Sequence, residues 1–153
     1  MEQTNPETVA TGVAPLDSHR ITPVTGLRLG AFFGAIAVIA GAFGAHYLKG
    51  LVDNGQLELR LLEAFKTGVQ YQFYHALAIV MVSCSGGLLW QRHFARWAIL
   101  AWTAGILLFS GSLYALTFTG IGVLGAITPF GGVLFIVGWV LAFLGARPYA
   151  NRP

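Results

Sequence analysis

The stretch WAILAWTAGILLFSGSLYALTFTGIGVLGAITPFGGVLFIVGWVLAFLGA, Trp97 to Ala146, contains no Asp, Glu, Lys or Arg. A helix in a water-soluble domain keeps a polar face for solvent, and no core helix runs this far without one. At a rise of about 1.5 Å per residue the stretch suffices for two crossings of a hydrocarbon layer about 30 Å thick. The whole chain supports lipid as its solvent, since hydrophobic residues make up 56% of it and charged residues 10%, and its mean hydropathy is +0.68. So few charges cannot cover a soluble surface.

Upstream, Leu29 to Tyr47 is uncharged and, as a helix, about 28 Å long, enough to cross once. Thr67 to Leu89 carries Gln70, Gln72 and His75 in its opening turns and is apolar from Ala76 onward. Trp97 to about Phe118 makes a third span. Thr119 to Thr128, rich in Gly and Ala, reads as a short connection. Thr128-Pro129 then reads as a helix start, because Thr caps free amides and Pro at the first helical position loses no hydrogen bond. A Pro-kinked helix beginning nearer Val123 is the alternative.

The expected fold is therefore an all-α membrane protein, an antiparallel four-helix transmembrane bundle. Its spans cover about 29–47, 67–89, 97–118 and 129–146, within a membrane domain 26–147. Residues 1–25, polar and without apolar periodicity, read as a disordered cytoplasmic tail, and 148–153 as a second short cytoplasmic tail. The tail does not begin as a secretory signal does, because Glu2 and Glu7 stand where basic residues would.

Residues 48 to 66 hold Lys49, Asp53, Glu58, Arg60, Glu63 and Lys66, so they lie outside the hydrocarbon. Leu57, Leu61, Phe65 and Val69 recur every fourth residue with the charges largely off that line. The pattern describes an interfacial amphipathic helix between spans one and two, or equally an N-terminal extension of the second span packed on protein.

Basic residues resist translocation and so set orientation. Arg20, Arg28, Arg92, Arg96, Arg147 and Arg152 fall on one side and Lys49, Arg60 and Lys66 on the other, six against three. That asymmetry places both termini in the cytoplasm of a plasma (inner) membrane protein. The formal charge of +3 comes from these flanks and forms no patch for nucleic acid. Cys84 stands alone, which rules out an internal disulfide.

Within the spans, Gly30, Gly34, Ala37, Gly41 and Ala45 form one small-residue stripe, with Ala31, Ala35 and Ala42 beside it. Small stripes let helices approach closely in lipid, which places helix one centrally in the bundle. Thr103, Ser110, Tyr114 and Thr117 are spaced by seven, four and three, so they share a face of the third span. That face reads as packing against another helix, helix one being the expected partner, whereas a water-lined pathway would speak for transport. No acidic or basic residue lies within a span to relay protons or hold ions.

His46 and His75 fall toward the same outer side. The two rings are expected to be neighbours with a structural role, supported by Gln70, Tyr71 and Gln72. Paired histidines also suit haem or a metal, but no third ligand accompanies them. No cofactor and no metal is expected, and no nucleophile triad, phosphate loop or dinucleotide fingerprint appears, so an enzyme is not expected.

Several blocks carry a resemblance: GAFGAH from Gly41 to His46, AFKTGVQYQFYHALA from Ala64 to Ala78, FSGSLY from Phe109 to Tyr114, TPFGG from Thr128 to Gly132, and Gly138-Trp139. In this order and spacing they resemble the YgdD-like family of small inner-membrane proteins, over about Leu27 to Leu144. The resemblance implies a four-span inner-membrane protein and supplies no substrate, cofactor or catalytic residue. The expected role is that of an accessory, binding or membrane-organising protein, with a small transporter or channel subunit as the alternative. The expected partners are the lipid bilayer and either another membrane protein or further copies of the chain.

Overall fold

The computed structural model describes residues 23–85 and 91–146, all-helical among those residues. The expected tails, nearly all of 1–25 and all of 148–153, lie outside the described residues, as does the expected end of the second span at 86–89. Helix α1 (Pro23–Phe43) passes through a π-helical turn, Gly44–Leu48, into α2 (Lys49–Asp53), making one long rod. Asn54 and Gly55 stop it: Gly55 adopts φ +71°, a conformation that favours glycine, and the Gln56 N–H turns back onto the Leu51 carbonyl at 2.8 Å. After an extended Glu58, α3 runs unbroken over Leu59–Cys84.

The third rod comprises α4 (Arg92–Gly105), a second π turn at Ile106–Ser110, and α5 (Gly111–Thr119). Gly120 ends it at φ +70°, its N–H bonded to the Leu116 carbonyl at 2.8 Å, a left-handed helix stop. A 3₁₀ turn, Gly122–Ala126, leads into α6 (Thr128–Gly145).

Three of the four helical units are long and apolar enough to cross a bilayer: Val24–Asp53, Arg92–Thr119 and Gly122–Gly145, with 30, 28 and 24 residues. Helix α3, with 26 residues, matches them in length but is more polar. Two polar residues in its middle point inward: Gln72 and His75 are 3% and 4% exposed. Polar groups inside and large apolar groups outside, such as Val123, Phe130 and Phe143, invert the arrangement of a water-soluble domain and suit lipid.

Four expectations change in the structure. Residues 59–66 are the first turns of α3, the extension of the second helix given as the equal alternative, and not a separate interfacial helix, because no break separates them from the rest. Their apolar members Leu61 and Phe65 are buried, Phe65 beside Leu48 and Leu62. Thr128 does not cap α6; Ile127 precedes it in helical conformation, and the Thr128 hydroxyl bonds that of Ser112 at 2.8 Å. The helical path begins at Gly122, closer to the alternative start near Val123. The central helix is α3, which packs on α1 to one side and on α4, the second π turn and α5 to the other.

The α1 stripe is also only partly as expected. Gly30 lies against Ala76 and Val80, Gly41 faces Val69 and Gly44 sits on Phe65, so α1 and α3 run antiparallel. A π turn inserts one extra residue and rotates the helix beyond it. Within the π turn at Gly44–Leu48 it is Gly44 and Leu48 that face inward, and Ala45 is exposed.

Candidate functional site

Gln72, midway along α3, is the hub of a buried polar seam. Its Nε2 donates to the Phe33 carbonyl of α1 at 2.9 Å, and its Oε1 accepts from the Tyr114 hydroxyl of α5 at 3.0 Å. One side chain thereby ties three helices together. N-terminal to Gln72 along α3, hydroxyls of the third rod donate to backbone carbonyls: Ser110 to Gly68 at 2.7 Å and Thr117 to Leu61 at 3.0 Å. Thr117 also lies 2.9 Å from the carbonyl of Leu113 in its own helix. Each carbonyl has a second lone pair beyond its helical bond, so these contacts need no break in α3.

The hydroxyl face of the third rod thus meets α3 and not α1. Thr103 does not join it, because its hydroxyl bonds back to the Ile99 carbonyl at 2.7 Å, satisfying itself within its own turn. Ser110 is fully buried, and Gly68 lets Tyr114 close onto α3 with ring atoms about 3.0 Å from where a β-carbon would stand.

His75 anchors a second contact, between α3 and α6. The Trp139 indole Nε1 donates to His75 Nε2 at 3.1 Å, and His75 Nδ1 lies 2.8 Å from the Tyr71 carbonyl. Indole N–H can only donate, so Nε2 is the acceptor and Nδ1 carries the proton it gives to Tyr71. Both ring nitrogens are occupied. The imidazole also stacks on Phe135, centroids 3.6 Å apart and planes 5° from parallel, and the Tyr71 ring covers Phe109 at 4.7 Å.

The expected pairing of His46 with His75 does not occur. His46 faces outward on the α1 rod beside the equally exposed Ala45, and the adjoining Gly44 stands opposite Phe65. Phe65 is ten residues, or about 15 Å, from His75 along α3. The neighbours of His75 are Trp139, Phe135 and the Tyr71 backbone. Among the described residues no three His, Cys, Asp or Glu side chains converge as metal ligands.

The contact between α4 and α6 went unread in the sequence. Gly131, Gly138 and Gly145 recur every seventh residue on α6 and face Phe109, Trp102 and Phe94. A β-carbon at any of the three would overlap the opposing residue. The signal was available: glycines every seven residues on one span, and aromatic residues every seven or eight on the span before it. Trp102 is fully buried, and its indole nitrogen, like the Ser83 hydroxyl, has no hydrogen-bond partner among the described residues.

Residues 40–132 match the family described as "Protein of unknown function (DUF423)". The chain belongs to this family. It is 44% identical over 121 residues to the UPF0382 membrane protein YwdK of Bacillus subtilis, covering 79% of this chain and 94% of that one. It is 42% identical over 120 residues to a UPF0382 membrane protein of Haemophilus influenzae, covering 78% and 91%. A third relative, the UPF0382 membrane protein SAB0533 of Staphylococcus aureus, is 42% identical over 124 residues, covering 80% of this chain and 95% of the relative. No solved structure matches. The resemblance carried by the motif blocks holds at this level, a membrane protein family of unknown function.

Proposed function

We propose that the chain is a four-span antiparallel bundle with both termini in the cytoplasm, and that it serves as an accessory, binding or membrane-organising protein rather than as an enzyme or a transporter. Helix α3 is the second crossing in chain order and completes the four. Its buried polar side chains, Gln72 and His75, are bonded to neighbouring helices, so its modest hydropathy does not bar it from lipid. The charged turns from Glu58 to Lys66 lie at the outer interface.

The observation that carries the functional part is how the hydroxyl seam is used. A permeation path needs hydroxyls free to exchange partners with a solute, whereas Ser110, Tyr114 and Thr117 each donate to α3. A bundle closed along its polar seam keeps its outer faces for lipid and for other proteins.

The test is crosslinking and co-purification of the full chain from native membranes. A stoichiometric membrane-protein partner, or a defined oligomer of the chain, is the expected result. A chain that purifies alone and mediates solute flux in proteoliposomes, with the flux abolished by Ser110→Leu, would overturn the reading in favour of a transporter. Topology reporters should give cytoplasmic signals after Gln91 and Arg152 and outer signals near Asn54 and Gly122; a cytoplasmic signal near Asn54 reverses the orientation.

A further inference from the structure

A groove of about 350 Å³ opens sideways between the α1 rod and α3, where the charged first turns of α3 give way to its apolar length. Gly41 and Gly44 line it from the α1 side, and Glu63, Lys66 and Gln70 line it from α3. The absence of side chains at the two glycines keeps the space open; a β-carbon at Gly41 would meet only Val69, at 3.5 Å.

Two features of the groove point to an occupant. The Glu63 carboxylate and the Lys66 ammonium are 2.9 Å apart and both exposed, so the rim offers an anion and a cation side by side. One turn deeper, Gln70 faces outward with no hydrogen-bond partner among the described residues. An unpaired amide at the edge of hydrocarbon is unfavourable, and a ligand that accepts from it removes that penalty. The neighbouring Thr67 hydroxyl is already spent on the Glu63 carbonyl at 2.9 Å.

We propose that the groove holds one glycerophospholipid whose zwitterionic headgroup carries a primary ammonium. An acyl chain lies over Gly41 and Gly44, Lys66 meets the phosphate, Glu63 meets the ammonium, and the Gln70 amide donates to the phosphate or the glycerol ester. A purely anionic headgroup would satisfy Lys66 and leave Glu63 facing like charge. A quaternary ammonium could not donate hydrogen bonds to the carboxylate.

The proposal rests on α1 and α3 crossing a bilayer, and its test separates the two claims. The full chain in detergent is titrated with phosphatidylethanolamine, phosphatidylglycerol or phosphatidylcholine of matched acyl chains, and bound lipid is counted by native mass spectrometry. One ethanolamine lipid should be retained in preference to the other two. Lys66→Gln, Glu63→Gln and Gln70→Leu should each weaken its retention by about fivefold, the factor expected for losing one polar contact at a half-exposed site. Lys49→Gln, at a lysine paired with Asp53 outside the groove, should leave retention unchanged. Equal retention of all three lipids, or indifference to all three groove variants, would overturn the proposal. Should those proteins stay in an alkali-washed membrane pellet, only the groove claim falls; loss of the wild-type chain from the pellet would remove the crossing reading beneath it.

Discussion

The interface between α3 and α5 and the one between α4 and α6 solve the same problem in opposite ways. Lipid tails are as apolar as leucine, so helices in a bilayer gain nothing from hiding apolar surface and must associate by close packing or by hydrogen bonds. Between α3 and α5 the association is polar: Ser110 and Thr117 donate to α3 carbonyls and Tyr114 to Gln72. Between α4 and α6 it is almost dry, with Phe94, Trp102 and Phe109 set against Gly145, Gly138 and Gly131. The difference matters because the two respond to different substitutions. A polar seam tolerates a lost bond when a helix can back-bond its own hydroxyls, whereas a glycine contact has no room to yield.

The largest effect is therefore expected on the dry side. Gly138→Val puts a branched side chain where the Trp102 indole already lies, forcing α4 and α6 apart. The expected loss is about 3 kcal/mol or more, at the upper end for overpacking, read as a fall in thermal stability in detergent. Gly111→Val, at a glycine with open space around it, is the matched control. Trp102→Leu in the Gly138→Val background should recover part of the loss, because the two sites are in contact and do not add. Equal stability of the two glycine variants would mean that the dry interface is not tight.

On the polar side, Ser110→Leu should destabilise by about 2 kcal/mol, since a fully buried hydroxyl gives way to a bulky group against Gly68. Leu108→Ala, on the exposed side of the same π turn, should do much less. Tyr114→Phe removes only the bond to Gln72 and should fall near 0.6 kcal/mol, about the average for a hydrogen bond between helices in lipid. Thermal melts of the three variants check the order, and Ser110→Leu matching Leu108→Ala would break the account of the seam.

Much of this was legible in the sequence, and the failures have physical causes. The charge-free stretch from Trp97 to Ala146 sufficed for the class of protein, and the helical spacing of Ser110, Tyr114 and Thr117 gave the common face. Which helix that face meets was not legible, because hydroxyls bond to backbone carbonyls and every helix presents the same ones. The same holds for Gln72, whose acceptor on α1 is the carbonyl of an apolar residue, Phe33. Extending the stripes from Gly30 and Ala31 puts Ala45 and His46 on the inward face, but Gly44 and Leu48 carry that face, and His46, two positions past Gly44, turns well away from it at about 100° per residue. The partner of His75, Trp139, lies 64 positions away in the chain, and no local pattern links the two.

Outside the bundle the effects should be smallest, and their dependence on solvent sharpens the contrast. Glu58 and Arg60 form an exposed ion pair at the start of α3. Its hydrogen bond to the Arg60 guanidinium, aided by that charge, holds the Glu58 carboxyl below its ordinary pKa. A carboxyl with a lowered folded-state pKa adds stability above its unfolded pKa and loses that contribution as pH falls through the folded value. Water surrounds both partners, so the contribution is slight and screened by salt. Wild type and Arg60→Gln should therefore differ little at neutral pH in low salt, and should converge both on acidification below the depressed carboxyl pKa and on addition of salt. The gap between wild type and Ser110→Leu, which involves no ionisable group and no water, should persist through the same pH and salt series. Thermal melts of the three proteins across that series decide the matter: a Ser110→Leu gap that closes with salt or acid would place water in the seam and join the two interfaces into one wet bundle.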